Sequence, residues 1–567
     1  MIMRNFLNSL LFVLIGSLAV FPKYMMVTTS EWGSDTIPGS LSYLLKNAEK
    51  GDSIGMNIPG SDSIRIDVIG HLSITNDIAI CGKNRATEKP IIINQNCFTD
   101  CGRLLTIKGV DVHISNAIFW GSGNNVNNGG VIGVNGASTK LTLDSVEISG
   151  GFSQNVGGGL FNDSGTVILN KCLVWLNFAG RMGGGICNGG SMTIVNSVIA
   201  RNRASSTSNF GGIALGGGIY NEGGLVVIGS TITSNVSEAW NSSFSVDVME
   251  YAYGGGLYAL KGITSLINTT LYKDTSKATC TYNYCSAVDG GGALGAGEYG
   301  LIFLTNCTLN DNRRSSVYTD YFSNIYFLNT LVSSYNKTDF TNNPKYYKGK
   351  NNMASFVLPD DSAVFGAELP ISKIYGKDTA KLADNGGLTP TVALKNTGLA
   401  VAAGTRSGYF YFDTLLNHSG SNNSVSIPIP VYLKDHVWLD IRTNSPVPPD
   451  VPVTEISTDQ RGEIRGDPPC IGAFELTAQD EGVRRNTRVV HEKSSFVFIS
   501  LVNKKLVVKT KASGVVELFT CTGQRLLLKS LIIADGTEII PLPKKAHGVV
   551  VCKITCHESI ITKSFIW

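Results

Sequence analysis

The sequence predicts an all-β chain: a right-handed parallel β-helix with an N-terminal capping helix, followed by a small Ig-like β-sandwich. Three observations lead there. First, a glycine triplet followed by a strand and an asparagine recurs as GGGLFN (Gly157–Asn162), GGGICN (Gly183–Asn188) and GGGIYN (Gly216–Asn221), with weaker copies from Gly254 and Gly291. Second, each copy precedes another motif that ends in Asn or Asp six positions after its start. It reads NSVIARN from Asn196, GSTITSN from Gly229, NTTLYKD from Asn268 and NCTLNDN from Asn306, and more loosely from Asp144 and Lys171. These starts recur every 25–40 residues or so, the range of solenoids, propellers and arrays. Third, the segments between are about four residues long and rich in Val, Ile and Thr, as in Val167–Leu169, Met192–Val195, Leu225–Ile228, Thr264–Ile267 and Leu301–Leu304. No helix of ten residues fits between them, which excludes helical solenoids. Uneven repeat lengths and the lack of a four-strand blade pattern count against a propeller.

Composition agrees with a stacked β solenoid. Charged residues are 16% of the 567, and there are 63 glycines. A formal net charge of +3 gives no polyelectrolyte signal, so neither nucleic acid nor an anionic membrane is expected as a partner.

Taken in order, residues 1–20 read as a secretory signal peptide, with Arg4 in the n-region, Phe6–Ile15 as the apolar core and small residues Gly16, Ser17 and Ala19 beyond. Asn5, Asn8 and Ser9 leave too short an apolar run for a membrane span. No transmembrane helix is expected in the mature chain. Within Pro38–Ile54, Ser40 is placed to N-cap a helix carrying Leu41, Leu44, Leu45 and Ala48 on one face, with Gly51 ending it. An open solenoid end exposes unpaired strand edges, so a cap is required. Strands then begin at Ile64–Val68, Ile78–Ile80, Ile91–Ile93, Leu104–Ile107 and Val112–Ile114, and the last coil is expected at Ile325–Asn329. The glycine triplets suit corners where any Cβ would clash. Asn162, Asn188 and Asn221, and likewise Asn196, Asn268 and Asn306, are expected to stack into side-chain amide ladders inside the coils. Calcium-binding nonapeptide repeats need other residues at positions four and six, so the corners read as structural.

Twelve cysteines in an exported chain raise the prospect of disulfides. Cys97/Cys101 and Cys280/Cys285 are close enough to staple loops, whereas Cys172 and Cys307 share a column several coils apart and cannot pair. Paired CxxC and nearby His are absent, so no metal site and no cofactor is expected.

Beyond residue 347 the repeat dies out. DNGGLTPTVAL (Asp384–Leu394), GLAVAAG (Gly398–Gly404) and STDQRGEIRGDPPCIGAFEL (Ser457–Leu476) follow in that order. Together with the capping PGSL stretch and the GGG coils, these residues resemble the choice-of-anchor Q domain of exported bacterial β-helix proteins, over residues 30–476. Two features depart from that family: Ala402 stands where it usually has Asp, and an aromatic insertion spans 405–455. The resemblance implies a β-helix over 30–347 and its C-terminal part over 348–476. Asp459, Arg461, Arg465 and Glu475 read as an ion-pair network pinning a C-terminal loop over the last coil, with a catalytic acid and arginine as the alternative.

A polar linker, 477–495, leads into period-two strands over 496–567, at Leu506–Lys509, Val515–Cys521, Arg525–Leu528, Thr537–Ile540, Gly548–Ile554 and Ile560–Phe565, with a hairpin turn at Thr522–Arg525. KKLVVK (Lys504–Lys509), TGQR, GVVVCKI and TKSFIW make this tail similar to the C-terminal sorting domain of type IX secretion cargo, with Val549 at the usual Tyr. That resemblance implies the type IX machinery as a partner and a secreted or cell-surface location on a Gram-negative bacterium. An ordinary adhesive domain is the alternative.

For function the sequence favours a surface solenoid for adhesion or glycan contact, its partner a polysaccharide or a host or matrix surface. Phe161, Tyr220 and Tyr258 share a position one past the inward aliphatic residue, so alternation places them outward, as a candidate sugar-binding column. The competing reading is a polysaccharide lyase or glycoside hydrolase of the pectin-lyase-like fold. A glycosidase needs two carboxylates about 5–10 Å apart. Asp144, Asp163, Glu222, Asp274 and Asp289 fall in different columns, and Arg181, Arg201 and Arg203 cluster without an acid column facing them. No catalytic residue is assigned.

Overall fold

Short strands separated by sharp corners cannot satisfy their backbone groups within one turn of chain, so each coil must hydrogen-bond to the coils above and below. The computed structural model shows this arrangement, a right-handed parallel β-helix. It describes residues 22–477 apart from 32–34, 61–63, 96–101, 122–125, 208–211, 242–248, 281–285, 335–339, 342–345, 357–361, 378–379, 406–409, 418–423 and 435–436, and beyond 477 the backbone of strands between 497 and 566. The expected signal peptide, the Cys97/Cys101 pair, Cys285 and residues 522–524 of the TGQR turn lie outside the described residues, as does the side chain of Cys280.

Two compact units divide the chain at Leu476 and Thr477. Among the described residues of the first, three long parallel sheets hold twelve, ten and eleven strands. A typical coil passes from the second sheet (Ile186–Asn188) to the first (Ser191–Val195) and then to the third (Val198–Ala200). Inward residues along each strand, such as Ile186, Met192, Ile194 and Ile199, are fully buried in one continuous aliphatic core. The stack starts at Tyr24–Val27 and runs to Met353–Ala354, slightly beyond the expected 30–347 at both ends.

Both ends are plugged. Ser40 caps the helix Leu41–Asn47, its Oγ accepting from the Tyr43 amide at 3.2 Å, and Leu41, Leu44 and Leu45 are buried against the first coil. That helix ends at Ala48 in extended conformation rather than at Gly51, whose φ of +90° serves the next turn. At the far end Phe365, from the helical turn Ser362–Phe365, packs against Phe327, Phe340 and Tyr347.

The glycine triplets explain the second-sheet corner. The first glycine of each, such as Gly183 at φ +63°, adopts the left-handed conformation. The second sits under the neighbouring coil: a Cβ on Gly184 would approach Arg203 and Gly217 backbone atoms well inside 3.0 Å. Between the third and second sheets the coils that carry Phe152 to Gly290 make excursions that lengthen along the stack, and the next link, from Asn310 to Val317, is short again. Phe152–Ser153 and Phe178–Ala179 are short, whereas Arg203–Thr207, Val236–Asn241 and Thr275–Cys280 run outward and Ile213–Leu215, Met249–Tyr253 and Ser286–Gly290 return. They form a lateral fin of two sheets packed on an alanine core, Ala214, Ala239, Ala252 and Ala278.

After Ala354 the chain does not continue as coils. Past the Phe365 plug, the described residues up to 476 run back over the outside of the solenoid. The 405–455 insertion forms an antiparallel sheet whose Ile427, Ile429 and Val431 cover Val226, Ile263, Phe303 and Tyr326 on the first sheet. Val392, Ala400, Ile471 and Phe474 cover Tyr272 and Leu331 on the third.

Among the described residues of the second unit seven strands form antiparallel sheets of three and four, the two-sheet content of the expected small sandwich. Val497–Val502 is a strand the sequence reading did not place.

Gly184→Ala is expected to destabilise the protein by about 1–3 kcal/mol through overpacking. Gly102→Ala, with open space around its Cβ position and no positive φ, leaves the unfolding midpoint unchanged. Paired thermal melts check both.

Candidate functional site

Asn162, Asn188 and Asn221 are fully buried, and each amide donates to the next: Asn162 Nδ2 to Asn188 Oδ1 at 2.8 Å, then Asn188 Nδ2 to Asn221 Oδ1 at 2.8 Å. Thr264 Oγ1 closes the row, accepting from Asn221 at 3.0 Å. Asn196, Asn268 and Asn306 form no such row. They sit at the corner between the first and third sheets with φ of 49–53°, a conformation Asn tolerates better than most residues. Their side chains point away from the core. Asn268 binds the covering segment, accepting from Arg465 Nη2 at 2.9 Å and donating to the Thr458 carbonyl at 2.7 Å.

The second ladder lies six residues on, at the Asn/Asp that ends the motif. Asn177 donates to Asn202, Asn202 to Asn235 and Asn235 to Asp274, at 3.0, 3.0 and 2.9 Å. Each acceptor oxygen also takes a backbone N–H from the coil before, and the Asp274 amide continues the row to Asn312 Oδ1 at 2.9 Å. Asp274 is fully buried, its Oδ2 has no hydrogen-bond partner among the described residues, and burial pushes its carboxyl well above the ordinary range. Its Oδ1 takes the acceptor place that an Asn Oδ1 holds elsewhere in the row.

Phe161, Tyr220 and Tyr258 do point out of the solenoid core, yet they are not an exposed sugar platform. Tyr220 and Tyr258 are 3% and 5% exposed, because the returning fin strands bring Leu215 and Tyr253 over them. Tyr253 stacks on Tyr258 at 6.0 Å and on Tyr318 at 4.1 Å, and Tyr220 donates to Glu222 at 2.7 Å. Phe161 stays half-buried at the edge of this cluster.

The acids remain scattered. Asp144 accepts from Ser145 and Asn170, Glu222 from Tyr220, and Asp289 pairs with Arg314. The Asp459–Glu475 network is a fully bonded clasp. Arg461 Nε donates to Asp459 Oδ2 at 2.8 Å with its guanidinium 3.8 Å from the Phe474 ring centre, and Arg465 Nη1 pairs with Glu475 Oε2 at 3.3 Å. Glu475 also accepts the Cys470 and Gly466 amides. Gln460 between them reaches the solenoid, donating to the Ser230 carbonyl at 2.9 Å and accepting from Thr270 Oγ1 at 2.7 Å. The clasp therefore grips the middle coils rather than the last one. Cys172 and Cys307 are buried free thiols, pushed up to about 12 by burial.

Two exposed features lie on coils ahead of those the covering segment contacts among the described residues. Trp120 and Trp175 occupy one outward column of the third sheet with Ser149 between them. Trp120 is 51% exposed. Two coil spacings of about 4.8 Å separate the two backbone positions, and Ile118 and Leu173 flank them. Glu147 Oε1 fixes Trp175, accepting from Nε1 at 2.7 Å. Around the corner, where the fin begins, a cleft of about 490 Å³ is lined by Phe152, Phe178, Arg181 and polar groups of the first fin strand. No family model matches the chain, and no curated protein matches it. Among the described residues no helix is long and apolar enough to cross a membrane.

Asn188→Ala should cost about 1–3 kcal/mol, since it leaves buried amides unpaired, while Asn196→Gly changes stability little. Asp274 gives a pH dependence. Its folded pKa is raised, so its contribution is fully present below about pH 4 and is lost at up to about 1.4 kcal/mol per pH unit as pH rises toward that value. Asp274→Asn removes the loss. Its melting advantage over the parent is expected to be larger at pH 8 than at pH 5.

Proposed function

We propose that this is an exported surface solenoid whose uncovered N-terminal coils contact glycan. The observation that carries the reading is the Trp120–Trp175 column, held at a fixed spacing on a rigid sheet. Indoles on a stiff scaffold give large contact area at little entropic cost, and they suit the apolar faces of sugar rings. The same face of the third sheet is sealed from Thr231 onward, where Pro390 accepts from Thr231 Oγ1 at 2.6 Å. Adhesion through a polysaccharide on a host or matrix surface follows from this reading. Export is supported by the N-terminal segment and by the likeness to choice-of-anchor Q proteins. The tail's likeness to type IX sorting domains makes the second unit an address.

Trp120→Ala is expected to lower binding to a glycan array about tenfold without moving the melting midpoint, a loss of order 1–2 kcal/mol. Unchanged binding would sink the Trp column as the contact. Deleting residues 496–567 is expected to leave the first unit folded but held in the periplasm; surface display of the truncated chain would refute the sorting role.

A further inference from the structure

The cleft at the base of the fin is a built step in the fold. The strand Arg203–Thr207 pairs with the preceding coil only through Arg203 and Ala204, against Phe178 and Ala179. Ser205, Ser206 and Thr207 thus overhang a shorter coil, and the overhang roofs a space floored by Phe152, Gln154, Phe178, Gly180 and Arg181. Phe152 and Phe178 lie in register on neighbouring coils, their rings 5.2 Å apart and 4° from parallel. Both are half-buried, so they present a flat apolar step. Arg181 is exposed, and its guanidinium makes no hydrogen bond or ion pair among the described residues. Nearby Arg203 is committed to Glu238, which Lys277 also approaches. Of the three arginines clustered in the sequence, Arg181 is the one that lines the cleft.

We infer that this cleft binds one anionic sugar residue of a longer glycan. The ring's apolar face would rest on the Phe152–Phe178 step, its carboxylate or sulfate on the Arg181 guanidinium, and its hydroxyls near Gln154, Ser205 and Thr207. A planar guanidinium matches a carboxylate or sulfate in two-point geometry, and two stacked phenyl rings match a pyranose face. An overhang about one coil deep admits a single ring with chain running out on either side. This inference rests on the glycan-contact reading but concerns a separate cleft with its own charge requirement.

The test is calorimetric titration of the full chain and of Arg181→Gln with three hexasaccharides. One contains glucuronate, one is a sulfated galactan and one is neutral cellohexaose. The expected result is tighter binding of one or both anionic sugars and about a tenfold loss of that binding in Arg181→Gln, the worth of one charge-assisted contact. Cellohexaose binding and the melting midpoint stay unchanged. Loss with glucuronate alone identifies a carboxylate ligand, and loss with the galactan alone a sulfate. Equal binding of anionic and neutral sugars, or an Arg181→Gln variant indistinguishable from the parent, overturns the inference while leaving glycan contact standing. Failure of all three sugars to bind removes both. An acidic peptide that binds more tightly than any sugar, by adding a strand beside Ser205–Thr207, also overturns it.

Discussion

An amide buried between two coils has two donors and an acceptor to satisfy, and in this protein the neighbouring coils satisfy them. Asn188 accepts from Asn162 below and donates to Asn221 above, while Asn202 does the same at the opposite corner with Asn177 and Asn235. Each inward Ile or Leu contributes about 1.5–3 kcal/mol by leaving water, more than the roughly 0.5–1.5 kcal/mol net of one such bond. Burial therefore holds the coils together. The amides decide which residue faces which, since a slip of one position would strand them unpaired at a cost of about 1–3 kcal/mol each. With register fixed at two corners, excursions between the third and second sheets can vary in length without disturbing the stack. The fin and the cleft beneath it exist because of that tolerance.

A second constraint divides the outer surface. The segment 356–476 returns along the solenoid and seals the first and third sheets from about Val226 and Thr231 onward. Its buried charges are fully paired, which is the condition for burying them at all. Gln460 reads the solenoid through three groups, the Ser230 carbonyl, Thr231 Oγ1 and Thr270 Oγ1. The coils before that boundary keep open faces, and Trp120, Trp175, Phe152, Phe178 and Arg181 all lie there. The proposed contacts are those the covering leaves exposed.

Much of this was legible in the sequence, because the coil repeats are marked by glycine triplets and β-branched runs. The capping helix and its Ser40 cap, the principal coil strands and the Asn162–Asn188–Asn221 row follow from those signals. The corner asparagines misled because two demands select the same residue. A left-handed corner favours Asn for its backbone, and a ladder favours Asn for its amide; Asn196 answers the first and Asn202 the second. The fin went unseen since its core is Ala and Ser, as in RASST and VSEAWN, which lack the apolar bulk that announces a strand. Tyr220 and Tyr258 were read as outward, and so they are. Their burial depends on Tyr253, which alternation within one strand does not reveal.

The division between covered and open coils is tested most directly by hydroxyl-radical footprinting of the full chain. Trp120, Phe152 and Phe178 are expected to oxidise readily, while Tyr272, Tyr326 and Tyr375, which the covering segment buries, are protected. Oxidation of the three tyrosines at the rate of Trp120 would contradict it.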